Sequence, residues 1–201
     1  MVDNRRVRTS RIAAVALAAA LAVAGCSSDS QGDAKASDTP AVPKGFDVPD
    51  GVTLTKGGTT LATGKPGTVV YEGASNATSA VTVTVSRIAK GSIKDFRFFS
   101  LDAAAKASTP YYVRATIKNE GPAGLGGASL PLYAHDDANT NIPANPIVGA
   151  FKPCQPSKLP SSFLPDASAK VCLVYLVPKG HKLDSVVLQP GTTEDAVSWK
   201  P

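Results

Sequence analysis

Residues 81–86 are Val-Thr-Val-Thr-Val-Ser, a run in which branched aliphatic and polar side chains alternate. Successive side chains of a β-strand point to opposite faces, so this alternation places all three valines on one face. The same period of two recurs in residues 111–118, Tyr-Tyr-Val-Arg-Ala-Thr-Ile-Lys, where the face from Tyr112 to Lys118 is predicted to be solvated. Two strands that each bury one face predict an antiparallel sheet.

Further short apolar runs are separated by clusters of Gly, Pro, Asn and Asp, and the chain holds 16 prolines and 17 glycines. This composition is typical of short strands joined by sharp turns. Residues 171–177 are apolar on both faces and predict a central strand, whereas residues 101–107 are the one short stretch of good helix formers. The pattern predicts an all-β antiparallel β-sandwich, with further strands at residues 69–72, 129–135, 185–189 and 196–200.

The N-terminal residues have the pattern of an export signal. Four arginines lie in residues 1–11, and residues 12–24 are an unbroken run of 13 Ile, Ala, Val and Leu residues. A membrane-spanning helix needs about 20 apolar residues, whereas the apolar region of a secretory signal peptide needs about 7 to 15. We therefore expect residues 1–25 to be a signal peptide.

The apolar run ends in Val23-Ala24-Gly25-Cys26, which resembles the lipobox of bacterial lipoproteins at every position. The resemblance implies signal-peptidase cleavage between Gly25 and Cys26, and a diacylglyceryl group on the Cys26 thiol. One acyl chain anchors a protein only marginally, so stable attachment needs two or three chains. The expected location is the extracytoplasmic face of the cell membrane, and the membrane is the first expected partner.

Residues 26–50 are expected to be the lipidated cysteine and a disordered linker, because residues 27–43 hold no aromatic and one branched aliphatic residue. Residues 51–201 are then expected to form one domain. The formal charge of +5 owes much to the signal peptide, without which 17 Lys and Arg face 15 Asp and Glu. The lysines are scattered, and nucleic acid is not an expected partner.

Cys154 and Cys172 flank a proline-rich segment without regular periodicity. Such a pair is expected to be oxidised outside the cytoplasm, and its spacing is not the Cys-X-X-Cys spacing of a redox-active pair. We predict a structural disulfide whose loop closure contributes about 3 kcal/mol. It would differ from the bridge between the sheets of antibody domains, since no tryptophan lies between the cysteines.

Two segments carry a resemblance to a known family. Residues 111–121, Tyr-Tyr-Val-Arg-Ala-Thr-Ile-Lys-Asn-Glu-Gly, and residues 171–178, Val-Cys-Leu-Val-Tyr-Leu-Val-Pro, resemble actinobacterial lipoproteins of unknown function. The domain of that family is similar to the immunoglobulin-like fold of secreted mycobacterial immunoprotective antigens. The resemblance spans residues 64–201 and implies an immunoglobulin-like β-sandwich and an extracytoplasmic location. It implies no reaction, no ligand and no catalytic residues.

The histidines do not predict a metal centre. The chain holds two, His135 and His181, and a structural zinc site needs about four Cys or His ligands. Each histidine is therefore expected to be a surface turn residue. No metal and no cofactor are expected.

Asp137, Asn139 and Asn141 place oxygen atoms at alternate positions, as the start of a calcium loop does. The sixth and twelfth positions of such a loop are Gly and Glu, whereas here they are Ile142 and Val148. We therefore predict a polar hairpin loop.

No Gly-X-Ser-X-Gly motif is present, so no catalytic residue and no enzymatic activity are expected. Phe98 and Phe99 are adjacent, so in an extended chain one ring faces inward and the other outward. Packing in the core or at its rim is favoured over a partner contact.

The leading hypothesis is a non-enzymatic, membrane-anchored lipoprotein whose immunoglobulin-like domain binds another cell-envelope or extracellular component. One alternative is a carrier that holds a small apolar ligand between its sheets, and this alternative requires a cavity in the core. The other is an envelope enzyme with an unrecognised site, which a buried Asp or Glu beside His135 or His181 in a cleft would favour.

Overall fold

The computed structural model describes residues 39–73, 77–155 and 158–201. These residues include a short helix α1 (Ala103–Ala107) and two 3-10 helices (Ile93–Phe96 and Thr193–Asp195). They also form nine strands: β1 (Thr60–Ala62), β2 (Pro66–Glu72), β3 (Thr78–Lys90), β4 (Thr109–Asn119), β5 (Leu132–Asp136), β6 (Asn141–Pro143), β7 (Ser168–Val177), β8 (Leu183–Leu188) and β9 (Val197–Lys200).

The strands form two sheets that pack face to face. One sheet has the order β2-β3-β4-β7 and the other the order β1-β9-β8-β5-β6. Neighbouring strands are antiparallel except β1 and β9, which are parallel. The valines of residues 81–86 lie on β3 and are fully buried between the sheets. The predicted antiparallel β-sandwich is confirmed.

The strand order has the core arrangement of an immunoglobulin-like domain. In such domains strands B and E pair in one sheet, and strands C, F and G follow one another in the other. Here β4 pairs with β7, while β5, β8 and β9 are consecutive neighbours. The chain crosses between the sheets from β4 to β5 and again from β7 to β8, as it does from B to C and from E to F.

A buried hydrogen bond joins the two sheets across the core. Tyr175 of β7 is completely buried, and its hydroxyl donates to the carbonyl of Leu132 on β5 at 2.9 Å. Trp199 of β9 is also fully buried, and its indole N–H donates to the Lys65 carbonyl at 2.8 Å. These bonds matter because a buried polar group without a partner destabilises a fold by about 1–3 kcal/mol.

A second buried network fixes the turn that follows β4. Asn119 is fully buried, and its carbonyl oxygen accepts hydrogen bonds from the Ser79 hydroxyl at 2.6 Å and the Gly121 N–H at 3.3 Å. Its amide donates to the Ala123 carbonyl at 2.8 Å. The turn at residues 119–121 is therefore held by the side chain of its first residue.

Two predictions about the four-stranded sheet are wrong. β7 is an edge strand of this sheet and not a central strand. It is apolar on both faces because its inner face packs on the other sheet, while its outer face is covered by residues from loops. For the same reason Tyr112, predicted to be solvated, is only 6% exposed, whereas Arg114 and Lys118 on the same face are exposed.

The short elements were the hardest to predict. β1 and β6 have three residues each and were not predicted as strands. The helical stretch predicted at residues 101–107 contains α1, whose N-cap Asp102 accepts a hydrogen bond from the Ala105 N–H at 2.7 Å. A strand or helix of this length has too few residues to show a period.

Candidate functional site

A partly open cavity of about 530 Å³ lies along the free edge of β7, and residues of β4, β5 and β6 complete the strand part of its lining. Pockets for small ligands typically have volumes of about 300–1,000 Å³ and mostly apolar walls. The lining residues are Ile117, Ala128, Ser129, Leu130, Pro131, Leu132, Tyr133, Pro143, Ala144, Asn145, Pro146, Ile147, Lys158, Leu159, Val171, Cys172, Leu173 and Val174.

One rim of the cavity, residues 128–132, is held by two tyrosines. The hydroxyl of Tyr71 donates to the Ser129 carbonyl at 3.2 Å, and the hydroxyl of Tyr175 donates to the Leu132 carbonyl at 2.9 Å. Burial, followed by the influence of Tyr133, raises the pKa of both hydroxyls above the usual value. Both groups therefore remain protonated donors at neutral pH, and this rim is fixed in position.

The opposite rim, residues 143–147, follows β6 and runs along the free edge of β7. The N–H of Asn145 donates to the carbonyl of Val174 at 2.7 Å. Pro143 ends β6, opposite Tyr133, and has no N–H with which to extend the pairing. The chain therefore leaves the sheet here and arches over the gap between the sheets.

A disulfide attaches the continuation of this rim to β7. Cys154 and Cys172 are bonded, with Cα atoms 5.5 Å apart, and both are buried. The Arg114 guanidinium donates to the Pro153 carbonyl at 2.8 Å, a second link between the same loop and the sheet. Residues 146, 147, 158 and 159 of this loop line the cavity, so the predicted structural disulfide holds one wall in place.

An aromatic cluster fills the space between this loop and the outer face of the four-stranded sheet. Its members are Phe96, Phe99, Tyr112 and Phe151. The ring of Phe151 lies 4.7 Å from Phe96 and 5.6 Å from both Phe99 and Tyr112, measured between centroids. The Tyr112 hydroxyl donates to Asp95 at 2.7 Å, and burial first, then this bond, raises its pKa.

Phe98 and Phe99 point in different directions, although the chain forms a turn here and is not extended. The predicted packing in the core or at its rim is correct for Phe99 and wrong for Phe98. Phe99 packs in the aromatic cluster, whereas Phe98 is 82% exposed. The Arg97 guanidinium lies 4.5 Å from the centroid of the Phe98 ring. Phe98 is thus an exposed aromatic side chain stacked against a cation, on a segment anchored by its neighbour.

A polar groove lies on the other side of β7, on the outer face of the four-stranded sheet. Its lining includes the cations Arg114, Lys152 and Lys170 and contains no Asp or Glu. Val171 and Cys172 line both this groove and the apolar cavity. The cavity and the groove therefore lie against the same two residues of an edge strand.

Both histidines were expected to be surface turn residues, and this is wrong for His135. His181 lies in a turn, as expected. His135 instead lies within β5, where its Nδ1 is hydrogen-bonded to the side-chain amide oxygen of Asn141 at 2.8 Å. The His181 ring meets Asp137 at 3.2 Å, and both side chains are more than 40% exposed. Neither histidine lines the cavity or the groove.

The residues of the calcium-like run have separate partners. Asp137 accepts from His181 and from the Lys182 N–H, which is the main reason why its pKa is lowered. Asn141 instead meets His135, and Asn139 occupies the left-handed region at φ 61° in the tip of a hairpin. In residues 39–73, 77–155 and 158–201, no three His, Cys, Asp or Glu side chains are placed to hold a metal ion.

Gly25 and Cys26, the predicted cleavage and lipidation positions, lie outside the described residues. Within the part of the chain that the structure describes, no helix is long and apolar enough to cross a membrane. No protein-family model, curated protein or solved structure matches the chain.

Sequence reasoning did not identify the cavity, although a carrier was among its hypotheses. The lining comes from four strands and three loop segments that are far apart in sequence. Its one local signal is the proline content of the rim, with Pro131, Pro143 and Pro146 interrupting the pairing at the sheet edges.

Proposed function

We propose that the chain is an exported lipoprotein, held at the extracytoplasmic face of the cell membrane through Cys26, and that its β-sandwich binds a small apolar ligand. The observation that carries the binding proposal is the partly open cavity of about 530 Å³ along the free edge of β7. Apolar side chains make up most of its lining. The carrier hypothesis required such a cavity, so the geometry favours it.

The anchor rests on the sequence alone. The 13-residue apolar run and the Val-Ala-Gly-Cys sequence that ends it support cleavage before Cys26 and acylation of its thiol. Intact-mass measurement of the membrane-extracted protein tests this directly. A chain that begins at Cys26 with added diacylglyceryl mass is expected, and an uncut, unmodified N-terminus would refute the anchor.

Ligand binding can be tested with 1-dodecanol as an uncharged apolar probe. The full chain carries Cys26→Ser in this experiment, so that it has no acyl groups, and a variant with a blocked cavity distinguishes binding in the cavity from binding to the apolar residues 12–24. Isothermal titration is expected to show saturable binding at one site. Ala144→Trp places a large ring at the half-buried rim of the cavity and should abolish binding, whereas Ala138→Trp, at an exposed hairpin position outside the lining, should not.

The result that would overturn the binding proposal is the absence of saturable dodecanol binding to the parent chain. Equal binding by the Ala144→Trp and Ala138→Trp variants would do the same, because it would place the probe elsewhere. Circular dichroism and thermal unfolding of both variants confirm that a loss of binding is not a loss of fold. Ala128→Trp fills the cavity from the other rim and provides a second blocking variant.

The exposed ring of Phe98 supports a second candidate function, the binding of another envelope or extracellular protein. Aromatic side chains are enriched among residues that dominate protein interfaces. A photoreactive phenylalanine analogue at position 98 should crosslink to a partner in intact cells. The same analogue at Leu164, another exposed apolar residue, is the control. Identical crosslinking patterns from both positions would remove this candidate.

A further inference from the structure

The charge around the cavity identifies the class of ligand, an inference that rests on the proposed ligand binding. We infer that the ligand is a single-chain anionic amphiphile, whose apolar chain occupies the cavity and whose carboxylate faces Lys158. Lys158 is the one charged residue in the described lining of the cavity. It is exposed to solvent, which places its charge at the mouth and not in the apolar interior.

The lining separates apolar and polar contacts in the manner that such a ligand requires. Ile117, Leu132 and Val171 are buried in the core between the sheets and present hydrocarbon to the cavity. Lys158 lies on the loop that also supplies Leu159, which is buried. An amphiphile can therefore bury its chain against the core while its charged end remains in water beside an ammonium group, and no buried charge has to be left unpaired.

The neighbouring groove also carries positive charge, as Lys158 does. Its cations Arg114, Lys152 and Lys170 lie on the other side of Val171 and Cys172, which line both sites. Neither lining contains an Asp or Glu. Charges separated by less than about 8 Å interact at physiological ionic strength, and a surface of one sign raises the rate at which an oppositely charged ligand arrives. The charged side chains that line the two sites are all cationic, which favours the approach of an anion over that of a cationic ligand.

The size of the expected effect follows from the exposure of Lys158. Solvent-exposed ion pairs contribute about 0.2–1 kcal/mol, which corresponds to a change in the dissociation constant of up to about fivefold. Most of the affinity should therefore come from the apolar chain, and Lys158 should determine selectivity. Dodecanoate is expected to bind about 1.4-fold to fivefold more tightly than 1-dodecanol, and the difference should shrink as salt concentration rises.

The experiment is a comparison of these two probes on three forms of the full chain with Cys26→Ser: the parent, Lys158→Gln and Lys179→Gln. Lys179 lies in an exposed turn outside both linings and provides the same change of net charge. We expect Lys158→Gln to lose the preference for dodecanoate while its affinity for dodecanol is unchanged, and Lys179→Gln to retain the preference. A further variant, Lys158→Glu, should reverse the preference.

The outcomes separate the inference from the proposed function. If dodecanol and dodecanoate bind the parent chain equally, or if Lys158→Gln and Lys158→Glu leave the preference intact, the inference is wrong while the cavity remains a binding site. If neither probe binds, both the inference and the proposed function fail. Acetate, the head group without a chain, should not compete with dodecanoate. Competition by acetate would overturn the inference, because it would assign the affinity to the charge alone.

Discussion

Reduction of the disulfide should lower the free energy of unfolding by about 3 kcal/mol. Cys154 and Cys172 are 18 residues apart in the sequence, and the chain-entropy relation for a closed loop of that length gives about 11 cal/mol/K, or about 3 kcal/mol at 25 °C. For a domain of this size the corresponding fall in melting temperature is about 6–12 °C. Reduction removes no heavy atom from either side chain, so the side-chain volume beside the aromatic cluster is nearly unchanged.

Urea unfolding followed by tryptophan fluorescence measures this difference with and without dithiothreitol. Trp199 is the single tryptophan of the chain, and it is fully buried in β9, so its emission reports the unfolding of the core and not of the loop. A variant with Cys154→Ala and Cys172→Ala is the control, because dithiothreitol should not change its stability. A difference below about 1 kcal/mol between oxidised and reduced protein would refute the loop-closure reasoning.

Four further substitutions test other parts of the fold by the same urea titration. Asn119→Ala leaves buried donors and acceptors of the β4 turn without partners and should cost about 3 kcal/mol or more, and a loss under about 1 kcal/mol would contradict the network. Tyr175→Phe should cost about 1–3 kcal/mol at neutral pH. Burial raises the pKa of the Tyr175 hydroxyl above the value near 10 that it has in the unfolded chain. Its contribution to the free energy of unfolding is therefore complete below pH 10. That contribution is lost above pH 10 by about 1.4 kcal/mol per pH unit. The free energy of unfolding of Tyr175→Phe should not show that part of the decline at alkaline pH. Identical pH profiles of stability for the parent and the variant would refute this prediction. Phe151→Ala should cost about 3–5 kcal/mol, whereas Phe98→Ala should stay within about 0.5 kcal/mol, and equal losses would refute the assigned burial.

The fold class could be predicted because its signal is local. The alternation in residues 81–86 and 111–118 requires no knowledge of distant residues, since the side-chain period of a strand belongs to its own backbone. β3 and β4, which carry these runs, pair with each other as neighbours of the four-stranded sheet. The disulfide could also be predicted from the sequence. One of the three cysteines belongs to the export signal, which leaves Cys154 and Cys172 as one pair.

The burial of Tyr112 could not be predicted, because its cover comes from elsewhere in the chain. The ring that packs on it belongs to Phe151, almost forty residues later, and its hydroxyl partner belongs to Asp95. In sequence, a tyrosine that alternates with Arg and Lys has the pattern of a solvated face. The position of β7 at the sheet edge was misjudged for a related reason, since an apolar run indicates burial on both faces without indicating what covers them.

The same property of β7 explains both the cavity and the aromatic cluster. An edge strand that is apolar on both faces must be covered on each side by something other than a neighbouring strand. On the inner side β6 has only three residues and finishes in Pro143, so the opposing sheet covers β7 only in part, and the cavity lies along the free edge of β7 at residues 171–174. On the outer side Phe151 and its neighbours pack against Val174 and Cys172. The loop that contains Cys154 contributes both to the cover of the outer face and to the wall of the cavity. Its disulfide to β7 therefore stabilises both features. Reduction should weaken dodecanol binding as well as lower the free energy of unfolding.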